Sequence, residues 1–357
     1  MLQKIKPLLL IAVIIIVVFA VYTQRNKPAV PEQLFSETTF SFGTLVDVSF
    51  YGADTELAKN AYNSLLTDFN YMHNTWHAWQ FNALARVNGL LQTGSKFTLA
   101  PSILPLIRNA KTLSIKSEGL FNPAIGGLVN QWGFHSDAPD DFRDPPSQEA
   151  IQSFLKDLPT MQDIHTEGIK MWGSNENIRL DFGGYAKGYA IDVAIQNIRD
   201  LGIENAIINA GGDLRAIGKH GERPWHIGIR DPRGEGVFAS LDIEGDESVF
   251  TSGDYERFFE SEGHRYHHLI DPRSGYPADK TTSVTVIHTD AATADAAATA
   301  LFIAGPDEWY RIANKMGIKY VMLIDKSGTV HMNPAMAKRI KFQLPKPPKV
   351  IISEKLP

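Results

Sequence analysis

The 357-residue chain contains no cysteine. That excludes disulfides, a thiol nucleophile, thiolate zinc sites, iron–sulfur ligation and a lipid-modified N-terminal cysteine. Positive charge is not in excess either: 35 Lys and Arg stand against 40 Asp and Glu, a net charge of −5. The first 30 residues carry Lys4, Lys6, Arg25 and Lys27 and no acid, so the remainder stands at −9. A mildly acidic body lacks the basic face that nucleic-acid phosphates require, so no nucleic-acid partner is expected. Two nucleotide-binding patterns, the GxGxxG turn and the GxxxxGK[ST] loop, are also missing. No internal repeat occurs.

Near the N terminus, Lys4 and Lys6 precede "LLLIAVIIIVVFAVY", uncharged from Leu8 to Tyr22. Its 15 residues match a signal h-region and fall short of the roughly 20 that span a bilayer comfortably. The small-x-small cleavage pattern is absent, and the proline-containing "NKPAVPEQ" follows. The segment reads as an uncleaved signal anchor. Residues 1–7 are then cytoplasmic, 8–22 cross the inner membrane, 23–36 are a linker, and the body faces the periplasm.

The composition, 43% hydrophobic and 21% charged, is that of a globular domain. Thr44 to Phe50 alternates as a strand; Asp54 then caps a helix with Leu57, Ala61, Leu65 and Phe69 on one face. A second helix is opened by Pro101, and residues 136–148 read as an acidic loop. Short strands are expected near 169–173 and 177–181, then a helix from about 185 to 200. The strand segments "NAIINA", "DLRAIG", "WHIGIR", "VFASLDI" and "ESVFTSG" follow, separated by turn residues. "TSVTVIH" is another strand, "DAATADAAATALFIAG" a helix ended by Gly305, and 306–316 a further helix. The order predicts an α+β fold of mainly antiparallel sheets with packed helices, over residues 37–340. Residues 341–357 read as a Pro-rich tail.

Three stretches carry chemistry. "LDFGGYAKGYAID" breaks a strand end into Gly183 and Gly184 and restarts as a helix, with Asp181 before the break and Lys187 in the first helical turn. A helix N terminus suits phosphate, and a tight turn with an exposed lysine accounts for the pattern equally well. Asp295 and Thr299 are four apart and share a helical face. A carboxylate and a hydroxyl are hard oxygen ligands suited to Mg²⁺ beside phosphates; the alternative is a solvated Asp with a back-bonded Thr. Asp290 caps that helix. His267 and His268 are adjacent on a strand, so one only can enter a site. Asp213 follows a glycine pair, to cap or to bind.

Taken in order, "FGTLVDVSFYG", "LFNPAIGGLVNQWGF", "LDFGGYAKGYAID", "NAIINAGGDLRAIG", "FTSGDYERFF", "RYHHLIDPRSGYP", "SVTVI" and "DAATADAAATALFIAG" resemble the FAD:protein FMN transferase (ApbE) family, over roughly residues 40–305. The resemblance implies Mg²⁺-dependent transfer of FMN from FAD to a Thr or Ser hydroxyl of a partner protein, releasing AMP. It implies metal ligation by Asp295, Thr299, the Gly184 carbonyl and the position of Ala298, where only a backbone oxygen is on offer. It implies FAD contacts from Phe42, Leu120, Phe121, Asn122, Asp181, Lys187 and Ile270. His268 is the better of the two histidines to accept the hydroxyl proton. Many members have a short Ser-Thr-Tyr segment where this chain has "NTWHAWQFNALARVN"; Trp76 and Trp79 there offer rings to stack on flavin or adenine. The acceptors implied are subunits of membrane redox pumps such as sodium-translocating NADH:quinone reductase. Two further readings stay open, a metal-dependent FAD pyrophosphatase and a non-catalytic flavin-binding protein.

Overall fold

The computed structural model describes residues 34–135 and 144–357. The expected anchor, most of the linker and residues 136–143 of the expected acidic loop lie outside the described residues. Among those described, no helix is long and apolar enough to cross a membrane.

A hairpin of β1 (Leu34–Ser41) and β2 (Thr44–Tyr51) leads to α1 (Thr55–Trp76) and α2 (Ala83–Leu91). Next come β3 (Phe97–Thr98), α3 (Leu104–Lys116), α4 (Gly126–Gln131), α5 (Gln148–Leu155), β4 (Ile164–Glu167), β5 (Lys170–Gly173) and α6 (Ala186–Asp200). A run of strands follows: β6 (Ala206–Ala210), β7 (Asp213–Gly218), β8 (Trp225–Arg230), β9 (Val237–Ile243), β10 (Gly245–Gly253), β11 (Phe258–Ser261), β12 (His264–His267) and β13 (Thr281–His288). The last elements are α7 (Ala291–Met316), β14 (Tyr320–Asp325), β15 (Val330–Met332), α8 (Pro334–Ala337), β16 (Lys341–Phe342) and β17 (Val350–Ile352).

Nine strands make one sheet in the order β1-β2-β6-β7-β10-β13-β14-β15-β17. Every neighbouring pair is antiparallel except β15–β17. The α+β expectation is met. On β2, Val46, Val48 and Phe50 are buried against the face of α1 that carries Ala58, Ala61, Leu65 and Phe69, and Asp54 caps that helix through Glu56 N–H and Leu57 N–H. On the other face of the large sheet, Leu214, Val249, Ile287, Met322 and Ile324 pack against β8 and β9, whose Trp225, Ile227, Ile229, Phe238 and Leu241 point inward. Large side chains buried this way contribute about 1.5–3 kcal/mol each. A third core around Trp132 and Phe134 anchors the loop after β12, where the Trp132 indole N–H donates to the Gly275 carbonyl at 2.8 Å.

The alanines of α7 have a packing reason. Ala291, Ala292, Ala294, Ala296, Ala297 and Ala298 are all buried, which lets α6 and α7 approach backbone to backbone. A Cβ on Gly188 would stand 2.3 Å from the Ala291 carbonyl oxygen. Asp192 of α6 accepts the Ala291 and Ala292 N–H groups at 2.8 Å each, so it caps α7 together with Asp290. Gly305, at φ 70°, breaks α7 before Pro306, as its sequence implies.

Three local expectations change. Pro101 precedes its helix; Pro105 sits in the first turn of α3 instead. Residues 177–181 form no strand, only a bridge between Arg179 and Ile125, because the Asn88 side chain holds both the N–H and the carbonyl of Leu180. The Pro-rich tail is part of the fold: β16 pairs with β9, β17 pairs with β15, and Leu356 is buried.

Candidate active site

Two tight turns meet at one end of the large sheet. Ser41 pairs with Thr44 and Ala210 with Asp213, leaving the two-residue loops Phe42–Gly43 and Gly211–Gly212, all four residues at positive φ. These are the primed turns that match strand twist. Gly211 N–H donates to the Leu45 carbonyl, and a Cβ on Gly211 would fall 2.4 Å from Thr44 Oγ1, so the turns touch. Beside them open the start of α6, the middle of α7 and the loops around residues 120–126, 251–257 and 268–270. Together they enclose a cleft of about 520 Å³.

The floor is a charge cluster. Lys187, in the first turn of α6, is ion-paired with Asp213, whose other carboxylate oxygen accepts Thr251 N–H at 3.0 Å. Asp295 Oδ2 accepts Gly188 N–H at 2.9 Å, so a carboxylate takes one of the free donors at this helix N terminus. Glu256 lines the same floor. Burial, then repulsion from Asp213, holds the carboxyls of both Asp295 and Glu256 well above the usual carboxylate range, although Lys187 opposes the effect. Burial pulls the other way on Lys187, and Asp213, Asp295 and Glu256 together lift its pKa above that of a free lysine.

Gly184 faces Thr299 across this floor. A Cβ there would lie 2.9 Å from Thr299 Oγ1. Hence the hydroxyl of Thr299 lies against the backbone of Gly184, and Asp295, one turn earlier on α7, lines the same cleft. Among the described residues, no group of three His, Cys, Asp or Glu side chains is placed to hold a metal. The donor set nevertheless fits Mg²⁺, which takes one or two carboxylates and fills its remaining positions with substrate phosphates and water. Three acidic side chains sharing the single charge of Lys187 also gain from a second cation.

The histidine pair divides as strand alternation requires. His267 is buried; its Nε2–H donates to the Ala278 carbonyl at 2.8 Å and its Nδ1 accepts Leu269 N–H at 3.3 Å. Its pKa is pulled down to about 4, mainly by burial. His268 lines the cleft. It donates Nδ1–H to the Arg257 carbonyl at 3.2 Å, which fixes the tautomer and leaves Nε2 as the basic nitrogen. Its depth in the cleft, with the charge of Arg257 next, brings its pKa down to about 3, so it is neutral at physiological pH.

Trp79 is held on three sides. Its indole N–H donates to Asp181 Oδ2 at 3.0 Å, the Arg179 guanidinium lies 3.9 Å from its ring centroid, and His135 packs at 5.5 Å. Asp181 also accepts Gly183 N–H at 2.8 Å.

Comparison with known proteins gives the same answer along most of the chain: residues 42–322 match the ApbE family. The chain belongs to the ApbE family. It is 39% identical over 306 residues to a FAD:protein FMN transferase of Rhodobacter capsulatus, a match covering 86% of this chain and 58% of that relative. An ApbE protein of Thermotoga maritima superposes with a TM-score of 0.76 at 30% identity, over 84% of this chain and 96% of that one. The apo flavinyl transferase ApbE of Pseudomonas stutzeri gives 0.75 at 26% identity, over 86% and 97%.

The family motifs thus gather at one place. Phe42, Trp76, Trp79, Leu120, Phe121, Asn122, Asp181, Gly184, Lys187, His268, Ile270, Asp295 and Thr299 all line the cleft. Ala298 does not: it is 1% exposed on the packed side of α7 and is not among the lining residues. Trp76 is 7% exposed and lies edge-on to the half-buried Tyr189, whereas Trp79 is the more accessible ring. Both ends of the Asn122 amide are engaged by backbone, at Pro159 and Ala124. Sequence reasoning passed over Glu256, Arg257, His73, His77 and His135, which also line the cleft. Glu256 and Arg257 sit inside a quoted motif, but a charged pair in a turn reads as solvent-facing until its long-range neighbours are known.

Proposed function

We propose that the chain cleaves FAD at its pyrophosphate and transfers the FMN half to a Thr or Ser hydroxyl of an acceptor protein, releasing AMP. Support comes from one observation above all: His268 Nε2 shares a cleft with the oxygen cluster of Asp295, Thr299 and Gly184. The named activity of the relatives agrees with it. Asp295, Thr299 and the Gly184 carbonyl would hold Mg²⁺, which neutralises pyrophosphate charge when bound. His268 Nε2 takes the acceptor proton as the hydroxyl oxygen bonds to the flavin-side phosphorus. The P–O bond to the AMP phosphate breaks, and AMP leaves with the electron pair. Trp79, steadied by Asp181 and Arg179, presents a ring for stacking.

The proposal includes a setting. The chain is held in the inner membrane by residues 8–22, its cleft faces the periplasm, and its acceptor is a membrane redox-pump subunit such as that of sodium-translocating NADH:quinone reductase. The apolar run between basic residues and the proline-containing linker supports this.

The deciding experiment is incubation with FAD, Mg²⁺ and that acceptor, followed by mass spectrometry. An acceptor carrying one FMN phosphoester, with AMP formed one for one, is expected. Free FMN and AMP with an unmodified acceptor would replace transfer by hydrolysis, and intact FAD would leave only binding.

A further inference from the structure

Residues 254–257 are the turn between β10 and β11, and Glu256 and Arg257 of this turn line the cleft. At its far end the Arg257 carbonyl accepts two groups of His268, the backbone N–H at 3.1 Å and Nδ1–H at 3.2 Å. The Arg257 guanidinium donates to the Phe134 carbonyl at 2.6 Å, and the Phe134 ring stands edge-on to His268. The orientation of His268 therefore depends on where this turn sits. Asp254 opens the turn. It is 1% exposed and does not line the cleft. Arg233, from the loop between β8 and β9, donates to its two carboxylate oxygens at 2.7 and 2.6 Å. Lys326, from the turn between β14 and β15, adds a third donor at 2.6 Å. Asp254 N–H donates to the Thr282 carbonyl at 3.1 Å, and Thr282 Oγ1 accepts from Arg233 at 3.1 Å. Burial works to raise the Asp254 pKa, but the two cations outweigh it and hold the carboxyl below the usual carboxylate range. The cluster is close to the histidine pair, since the charges of Lys326, Asp254 and Arg233 all act on His267.

We infer that Asp254 is a positioning residue for the transfer reaction: clamped by Arg233 and Lys326, it fixes the turn that carries Arg257, and through the Arg257 carbonyl it sets the ring angle and tautomer of His268. This rests on the reading of His268 as the base of FMN transfer. A buried carboxylate held by cations adds little net stability compared with an apolar residue, so its value here is geometric. The forked Arg233 contact restricts direction as well as distance, and Lys326 ties the same carboxylate to a third loop. A base displaced by about 1 Å loses on the order of 100-fold in rate, which makes a rigid turn behind His268 a part of the reaction. Asp254 touches neither the cleft nor the substrate space, so it acts on His268 and not on FAD.

The test compares the full chain with Asp254→Asn, Arg233→Met and the conservative Arg233→Lys, below the melting temperature of every variant. The probes are FAD, Mg²⁺ and the flavin-accepting subunit of sodium-translocating NADH:quinone reductase. In Asp254→Asn and Arg233→Met, kcat should fall by about tenfold or more while FAD affinity by fluorescence quenching stays at the wild-type value. Arg233→Lys keeps the charge without the fork and should fall between them and wild type. In nitrogen NMR spectra of chains with isotope-labelled histidine, the His268 Nδ1–H signal, identified by its loss in His268→Ala, should move or broaden in step with kcat. A wild-type kcat in both disrupted variants overturns the assignment, since the clamp then serves stability alone. Equal losses of FAD affinity and kcat also overturn it, because the clamp then supports the whole cleft. So does a lower kcat with the His268 signal unchanged. A wild-type chain that leaves the acceptor unmodified overturns the transfer reading separately; the His268 signal then decides the positioning by itself, and an unchanged signal in the variants ends it.

Discussion

Lys187 is ion-paired with Asp213, so the first-turn lysine of α6 is engaged by the opening residue of β7 and does not stand free. Sequence reasoning allowed it as the exposed lysine of a tight turn. Its partners change that expectation. Lys187→Ala leaves Asp213, Glu256 and Asp295 facing one another without their shared cation. Breaking such a pair costs about 3 kcal/mol. Urea unfolding should register this loss, and Asp213→Asn added to Lys187→Ala should recover part of it. Strictly additive losses in that double-mutant cycle would show that the pair is incidental.

Asp295→Asn keeps the volume and the Gly188 contact while removing the charge. Folding should hold, and FAD turnover should fall by about 100-fold or more, the scale of losing a preorganised electrostatic group. Thr299→Val should cost less, since a neutral ligand is lost. Turnover by the Asp295 variant at the wild-type rate in limiting Mg²⁺ would make this carboxylate a structural cap of Gly188.

Gly184→Ala tests the open space in the oxygen cluster. The new Cβ would sit 2.9 Å from Thr299 Oγ1, closer than real Cβ contacts allow. Overpacking of this kind costs about 1–3 kcal/mol. Thr299→Ala in the same chain removes the opposing hydroxyl and should return most of the stability without returning activity. A Gly184→Ala chain with wild-type melting temperature and wild-type turnover would show that the contact relaxes freely.

The two histidines should separate in a pH series. Unfolded, an imidazole gains its proton as pH falls below about 6.5; folded, His267 resists until about pH 4. The stability it contributes is therefore complete above pH 6.5 and is lost as pH falls toward 4, on the order of 3 kcal/mol over the whole window. The raised carboxyls of Asp295 and Glu256 act in the opposite sense, but they are common to wild type and His267→Gln and cancel in the difference. Melting curves from pH 4.5 to 7.5 should thus converge toward the acid end. Parallel curves would remove His267 as a source of acid sensitivity. His268→Ala should abolish transfer while melting close to wild type.

Much of this fold could be read locally. Strand alternation marks β2 and β8, Asp54 and Asp290 mark helix starts, and the Gly305–Pro306 step marks the break in α7. What escaped depends on distant partners. Strand β16 sits in a Pro-rich sequence and finds its place only against Ser240 and Ala239. Residues 177–181 look like a strand until Asn88 claims the Leu180 backbone. Within the cleft, the motifs bring together Phe42, Asp181, Lys187, His268 and Asp295 from stretches far apart in sequence, because family spacing encodes proximity. They say nothing of Lys187 meeting Asp213, or of Glu256 joining the floor, since charge pairs across elements leave no local trace. Ala298 is a case where the motif reaches further than local reading: its side chain is buried in the packing of α7, and only its backbone oxygen is on offer.

The seam between α6 and α7 has a consequence for motion. Asp192 grips the first turn of α7 and Gly188 brings the two backbones into contact, while Gly184 and Thr299 sit at the cleft ends of the joined pieces. Spreading those two residues apart would require undoing the seam. The Gly184–Thr299 side of the cleft is therefore the stiffer one, whereas the Phe42–Gly43 tip is held by the ring contacts of Phe42 with Phe69 and His73. A change in cleft width on that side would have to separate the Phe42 ring from Phe69 and His73, two edge contacts rather than a backbone seam.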